Sequence, residues 1–303
     1  VTHTFIDTSG PSAGSPPVRL HVVQAGPIDG PLIILLHGFP EFWYGWRKQI
    51  DALAEAGFRV WAPDQRGYNI SDKPTGIAAY SLDSLVADVI GLIDAAGRHN
   101  AILVGHDWGA AVAWWTAVSF PERVERLVVL NVPHPIVMKR YASRNIGQML
   151  RSWYIGFFQL PWLPEAVVRL GNWAFLTQTL RRSSRRGIFS DTDLKHYTAA
   201  WSQPGAAKAM INWYRASLQK PPARQPTIRV TVPTLLIWGV RDQFLKREMA
   251  QLSIDLCDNG RVEFIENATH WVQHEEAKRV NELIMGKKEE REEGGEGQKG
   301  GEE

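Results

Sequence analysis

Short apolar runs recur along the chain, most of them closed by glycine or proline, with longer helical stretches between them. The runs are Val18–Val23, Leu32–Leu36, Arg59–Ala62, Ala101–Val104, Leu127–Leu130, Thr234–Trp238 and Val262–Ile265. The first alternates weakly, whereas Leu32–Leu36 is apolar throughout. A run with no polar side has no face for water, which predicts strands buried on both sides in a mostly parallel sheet. Helices are predicted at Trp46–Ala56, Leu82–Ala96, Trp108–Ser119, Glu248–Asp255 and Glu275–Ile284. In the second, Leu82, Leu85, Val89 and Leu92 return every three or four positions, which lines one helical face. Strands alternating with helices predict an α/β architecture with helices on both faces of one sheet.

The strand rhythm stops after residue 135 and resumes near Thr234. The interval 136–229 is rich in aromatics (Trp153, Tyr154, Phe157, Phe158, Trp162, Trp173, Phe175, Tyr197, Trp201, Trp213, Tyr214) and poor in strand pattern. It is predicted to be a helical lid inserted between a first core part, 1–135, and a second, 230–286, and to cover the carboxyl ends of the strands, where open sheets bind ligands. Residues 8–17 read as a Gly-, Ser- and Pro-rich loop. Residues 287–303 carry seven Glu, four Lys or Arg and no apolar side chain. That composition predicts a disordered tail.

A chain of 303 residues that is 44% hydrophobic can bury a large core. Its formal charge of +2 predicts no nucleic-acid or membrane partner. The densest basic cluster, Arg181, Arg182, Arg185 and Arg186, is read as a solvated helix face. No run reaches membrane-spanning length, and no signal peptide is evident, so the expected location is cytoplasmic. The single cysteine, Cys257, excludes an intrachain disulfide or a thiolate metal cluster and is read as an ordinary residue in a helix face or turn. No metal and no organic cofactor is expected, since neither common Gly-rich phosphate loop is present and no carboxylate pattern surrounds His270 and His274.

The strongest local signal is Gly105-His106-Asp107-Trp108-Gly109, set between an apolar strand and an Ala/Trp-rich helix. This is the context of a nucleophile elbow, and the residue at its apex is Asp107. His37-Gly38-Phe39-Pro40 follows an earlier strand and can present the Phe39 backbone N–H toward the site, with the Trp108 N–H as second oxyanion donor. Asp242 follows the strand Thr234–Trp238, and His270 follows Val262–Ile265. The chain order nucleophile, acid, histidine is that of α/β-hydrolases. His37 is expected to help fix the oxyanion loop, His106 to point away from the reacting centre, and His134 to be a loop-packing residue.

A carboxylate nucleophile restricts the substrate. Attack on an ester or amide carbonyl would give a mixed anhydride, whereas displacement at an sp3 carbon gives an ordinary alkyl ester whose carbonyl water can then attack. His270, oriented by Asp242, would activate that water. Electrophilic sp3 carbons bearing a leaving heteroatom are found in epoxides and alkyl halides.

From about Val18 to Ile284 the chain resembles soluble epoxide hydrolases of the α/β-hydrolase superfamily. The resemblance rests on His37-Gly38-Phe39-Pro40-Glu41-Phe42-Trp43-Tyr44-Gly45-Trp46-Arg47, on Asp64-Gln65-Arg66-Gly67-Tyr68 followed by Ser71-Asp72-Lys73-Pro74, and on the elbow itself. Parts of these motifs are shared with haloalkane and fluoroacetate dehalogenases. The resemblance implies a mostly parallel eight-stranded sheet flanked by helices, with an inserted helical lid. It also implies two lid tyrosines that protonate the epoxide oxygen: Tyr154, in Trp153-Tyr154-Ile155-Gly156-Phe157-Phe158-Gln159-Leu160-Pro161, and Tyr214, in Asn212-Trp213-Tyr214-Arg215. Asn131 stands where some dehalogenases place the triad acid. His37, Pro40, Trp153, Phe158 and Trp162 are the candidate substrate-pocket residues. The expected activity is cofactor-independent hydrolysis of an epoxide by water to a vicinal diol, by a monomer or homodimer, in a detoxifying role. A dehalogenase with the same nucleophile and a non-catalytic ligand receptor on the same scaffold are the alternatives.

Overall fold

The computed structural model describes residues 1–8, 17–223 and 227–286. The predicted tail and most of the predicted loop at residues 8–17 lie outside the described residues. Eight strands form one sheet: β1 (Thr2–Thr8), β2 (Val18–Ala25), β3 (Leu32–Leu36), β4 (Arg59–Pro63), β5 (Ala101–His106), β6 (Val124–Leu130), β7 (Thr234–Gly239) and β8 (Gly260–Ile265). The spatial order is β1-β2-β4-β3-β5-β6-β7-β8. The β1–β2 and β2–β4 pairings are antiparallel, and all the others are parallel. The seven runs read from the sequence are β2 to β8, each correct to within three residues at either end. The eighth strand, β1, is an edge strand with little apolar content and most of its residues exposed, so it carries no hydrophobic signal.

Three helices separate the first strands: α1 (Arg47–Glu55), α2 (Leu82–Ala95) and α3 (Trp108–Ser119). The continuous apolar strands are explained by two cores, one on each face of the sheet. In β3, Leu32, Ile34 and Leu36 enter the core shared with Leu85, Val89 and Ala113. Ile33 and Leu35 enter the opposite core, with Ile50 and Leu53. Side chains alternate across a strand, so both sets must be apolar when both faces are covered.

Between β6 and β7 the chain forms six helices and, among the described residues, no named strand: α4 (Pro135–Ala142), α5 (Ile146–Arg151), α6 (Trp153–Phe157), α7 (Leu163–Ser183), α8 (Asp191–Trp201) and α9 (Ala206–Gln219). The non-helical backbone from Leu170 to Trp173 kinks α7. After β7 come α10 (Glu248–Ile254), α11 (Val272–Glu275) and α12 (Ala277–Met285). The helix expected at Glu275–Ile284 is α12 to within two residues at either end, and Glu276, with φ −125° and ψ 44°, separates it from the short α11. The arginine cluster does not share one helical face either. Arg181 and Arg182 are exposed at the end of α7, while Arg185 lies beyond the helix and pairs with Glu276 at 2.7 Å. Cys257 is buried beside a bridge to Val230, and its thiol is pushed up to about 11 chiefly by burial.

Strand order reverses at β3. From it the chain moves outward to β4 and then crosses back to β5 on its other side. Loops leaving β3 and β5 therefore diverge, opening a crevice at their carboxyl ends. Leu36 and Gly105 are register partners at that point, so His37–Pro40 and Asp107 emerge side by side.

Candidate active site

Asp107 sits at the tip of β5 with φ 49° and ψ −122°, a left-handed conformation that a non-glycine residue holds only at a cost of about 1–3 kcal/mol. Two glycines permit the turn. A Cβ on Gly109 would stand 2.1 Å from the Leu36 carbonyl oxygen, and one on Gly38 would stand 2.2 Å from the Asp107 Cβ. The strain aims the Asp107 carboxylate away from its own helix. The Phe39 N–H donates to its Oδ1 at 2.7 Å, and its Oδ2 faces His270 Nε2 at 3.6 Å. Trp108 opens α3, so its N–H belongs to the first turn, where no intrahelical acceptor is available.

His270 comes from the loop after β8. Its Nδ1 donates to Asp242 Oδ2 at 2.7 Å. Asp242, in the loop after β7, also accepts the Phe244 and Leu245 N–H groups on Oδ1 at 2.7 and 2.9 Å. Asn131 completes the cradle: its amide donates to Asp242 Oδ2 at 2.8 Å, and its carbonyl accepts the Gly239 N–H at 2.9 Å. From sequence, Asn131 mattered only as a position without a carboxylate. In the fold it ties the end of β6 to Asp242. Burial alone would strip His270 of its proton, but Asp242 and Asp107 outweigh burial and raise the imidazole to about 10. Burial likewise opposes charge on Asp107, yet the hydrogen bond and charge of His270, helped by His106 and the Phe39 N–H, hold its carboxyl below the usual range.

The two tyrosines approach from different helices, Tyr154 from α6 and Tyr214 from α9. Their rings are 5.9 Å apart and nearly perpendicular. Tyr214 also packs edge-on against Phe39 at 5.2 Å and Trp108 at 5.0 Å, over the two backbone donors. Tyr154 meets Phe244, whose ring lies 5.1 Å from His270. Burial, reinforced by the charge of Asp107, pushes both phenols well above their ordinary range, so both keep their protons.

The candidate pocket residues divide. Phe158 is buried against Phe39 and Tyr214. His37 is fully buried, with Nδ1 donating to the Gly38 carbonyl and Nε2 accepting the Gln65 N–H, both at 3.0 Å. It braces the oxyanion loop from behind rather than lining the crevice. Pro40 offers its carbonyl to Trp201 Nε1 at 2.5 Å. Trp153 and Trp162 do not join the cluster at Asp107, being 57% and 74% exposed. Trp153 precedes Tyr154 on α6, and neighbouring helical residues point about 100° apart, so an inward Tyr154 leaves Trp153 outside. Trp162 lines a cavity of about 1090 Å³ on the outer side, together with Ile77, Arg169 and Lys208. His134 caps α4 by accepting the Ile136 N–H at 3.2 Å.

A second polar cluster, unseen from sequence, lies behind the triad. Glu41 is buried and receives Tyr197 Oη and His274 Nε2, each at 2.6 Å, and Gln273 Nε2 at 3.0 Å. His106 stands 3.2 Å from the same carboxylate and donates Nε2–H to the His270 carbonyl at 2.8 Å. Burial opposes the charge on Glu41, but His274 and His106 hold its carboxyl well below the carboxylate range. Among the described residues no group of three His, Cys, Asp or Glu is placed to hold a metal ion.

Residues 31–277 match the family model described as alpha/beta hydrolase fold. The chain is 48% identical to the AB hydrolase superfamily protein YfhM of Bacillus subtilis, covering 93% of this chain and 96% of that one. It is 40% identical to Epoxide hydrolase 4 of Homo sapiens, covering 88% of this chain and 75% of the human protein. Among solved structures, the epoxide hydrolase of Bacillus megaterium in complex with an inhibitor superposes with a TM-score of 0.81 at 29% identity, over 93% of this chain and 99% of the other. With the family model and these relatives matching over most of its length, the chain is a member of the epoxide hydrolase family within the α/β-hydrolase superfamily, a family of hydrolytic enzymes.

Proposed function

We propose that the protein hydrolyses epoxides to vicinal diols through a covalent ester on Asp107. The observation that carries this reading is the strained, elbow-mounted carboxylate, with Oδ1 held by the Phe39 N–H and Oδ2 turned toward His270. In the first half, Asp107 Oδ2 attacks a ring carbon, the carbon–oxygen bond breaks, and Tyr154 or Tyr214 gives its proton to the departing oxygen. An alkoxide is a poor leaving group and gains from a proton donor in the transition state. In the second half, His270, oriented by Asp242, takes a proton from water as the water attacks the ester carbon. The carbonyl oxygen formed from Oδ1 keeps the Phe39 N–H as donor, and the Trp108 N–H would serve as the second. The tetrahedral adduct then collapses with cleavage of its bond to the substrate oxygen, which takes the proton from His270, while the proton of the re-formed carboxyl returns to the tyrosine phenolate; the diol and the Asp107 carboxylate are released. Residues 136–229 act as the lid that brings both tyrosines over the strand ends.

A dehalogenase would use the same nucleophile, but a halide needs no proton, and two buried phenols that keep their protons under the charge of Asp107 favour the epoxide. The test is direct. Purified protein is incubated with a panel of epoxides and alkyl halides, and diol is assayed against halide. A single turnover in heavy-oxygen water should give a first diol carrying mostly unlabelled oxygen from Asp107. Label in that first diol would show direct attack by water, and halide release without any diol would establish the dehalogenase.

A further inference from the structure

The α5–α6 segment is oriented inside out. Ile146, Met149 and Leu150 fall at spacings of three and four on α5 and line one face of it, Trp153 follows at the start of α6, and the four are turned to solvent at 75, 55, 69 and 57% exposure. The polar side is the buried one. Gln148 is fully buried, donating to the Phe244 carbonyl at 2.8 Å and accepting the Lys246 N–H at 3.1 Å. Asn145 caps the same turn through the Gln148 N–H at 2.9 Å and accepts from Lys246 Nζ at 3.1 Å. Polar anchors to the loop carrying Asp242 thus fix the outward direction of the apolar stripe. Of the sixteen large apolar side chains that are exposed among the described residues, eight lie from Ile146 to Leu170.

Charge is segregated to the same part of the molecule. Residues 136–229 hold fifteen Lys or Arg against three Asp or Glu, a net of +12, so the remainder of the chain carries −10. No acidic residue occurs between Glu125 and Glu165, while Lys139, Arg140, Arg144 and Arg151 flank the stripe and are exposed. The whole-chain value of +2 averages this away. Apolar side chains with a tryptophan, bordered by cations, are the chemistry that enters the headgroup region of an anionic bilayer. A second copy docking stripe to stripe would bring two +12 segments together. No described helix is long and apolar enough to span a membrane, so contact would be peripheral.

We propose that the outer face of α5 and α6 seats on an anionic phospholipid surface. This docking goes beyond the catalytic reading and does not depend on it, although it would hold the Tyr154 side of the lid against the phase in which apolar epoxides dissolve.

The test uses the full chain and vesicles of phosphatidylglycerol mixed with phosphatidylcholine, against vesicles of phosphatidylcholine alone, in co-sedimentation at low and high salt. Binding to the anionic vesicles only, weakened by salt, is expected. The Ile146→Ser/Leu150→Ser double variant should lose at least about tenfold in partitioning, the effect of withdrawing buried apolar side chains. It should keep its thermal unfolding midpoint and its rate on a water-dissolved epoxide. Absent binding, equal binding to neutral vesicles, or anionic binding untouched in the double variant would overturn the proposal. So would a concentration-dependent dimer in sedimentation velocity that the double variant abolishes, since the stripe would then be a self-interface.

Discussion

The strand-end triad and the helical tyrosine pair reach the same small volume by different physics. Asp107, Asp242 and His270 are fixed by backbone: a strained elbow, two N–H groups of the Asp242 loop, the Phe39 N–H and the Asn131 bridge. Tyr154 and Tyr214 are positioned mainly by rings, with Phe39, Trp108, Phe158 and Phe244 packed around them. Directional bonds from a rigid sheet suit groups whose charge must be placed to a fraction of an ångström. Aromatic packing on inserted helices suits donors that need only stay protonated and face the crevice, and it can be altered without disturbing the sheet. On the proposed mechanism, then, losing a triad member should stop the cycle, whereas losing one tyrosine should only slow its first half.

The largest effect is expected for Asp107→Asn. Turnover should fall by on the order of 10⁴–10⁶-fold, as for other covalent nucleophiles, with the thermal midpoint retained. Steady-state rates, together with mass spectrometry of substrate-modified peptide in the parent, check this; parent-like turnover, with deamidation excluded, would remove Asp107 from its role. His270→Gln should separate the halves, giving a stoichiometric burst of epoxide loss and a stalled ester. A variant that releases diol at the parental rate would show that His270 is not the base. The tyrosines come next. Tyr154→Phe and Tyr214→Phe should each slow the pre-steady-state alkylation, and the double variant should lose about 10²–10⁴-fold. An unimpaired double variant would end the proposed division of labour.

Asn131→Ala sharpens the comparison from the other side, since it alters support without touching a reacting group. It leaves the buried Asp242 carboxylate and the Gly239 N–H one partner short, so a stability loss of about 1–3 kcal/mol is expected, read by denaturant unfolding. The hydrolytic half should slow while alkylation by Asp107 is largely spared. The smallest effect is a titration. Asp107→Asn removes one of the charges that raise His270, so its midpoint, read from imidazole nitrogen shifts, should drop below about 10. The raised midpoint stabilises the fold fully below the usual histidine value and ceases to do so as pH rises through about 10. In the variant the decline should begin at the same pH but end at a lower one, and the total contribution should be smaller.

Much of this was legible in the sequence, for identifiable reasons. Apolar runs marked seven of the eight strands, most plainly β3, β5 and β7, every residue of which is buried and where covering both faces leaves little room for polar residues. The residues that cluster as Asp107, His270 and Asp242 were legible because the elbow glycines and the strand-end positions are local features. The strand β1 was not, because an edge strand held by backbone pairing needs no apolar side chains. Glu41 and His274 meet at 2.6 Å although 233 residues apart, and Asn131 reaches Asp242 across 111. Such buried polar pairings follow from sheet order, which no local pattern encodes. The exposure of Trp153 and Trp162 was illegible for a related reason: composition identifies aromatics, but only the helix phase set by Gln148, Tyr154 and their partners decides which of them turn outward.

An imidazole held between two carboxylates senses the charge on each. On the proposed route, esterification converts Asp107 from an anion to a neutral group, while Asp242 stays as it was. One of the attractions that keep a proton on His270 is thereby withdrawn when a base is first required. The intermediate would prepare its own breakdown: bond formation at one end of the 3.6 Å gap between Asp107 and His270 tunes the proton affinity at the other. The order of the two half-reactions would then be written into the charge balance of the site, and the timing of the cycle would require no movement of the backbone.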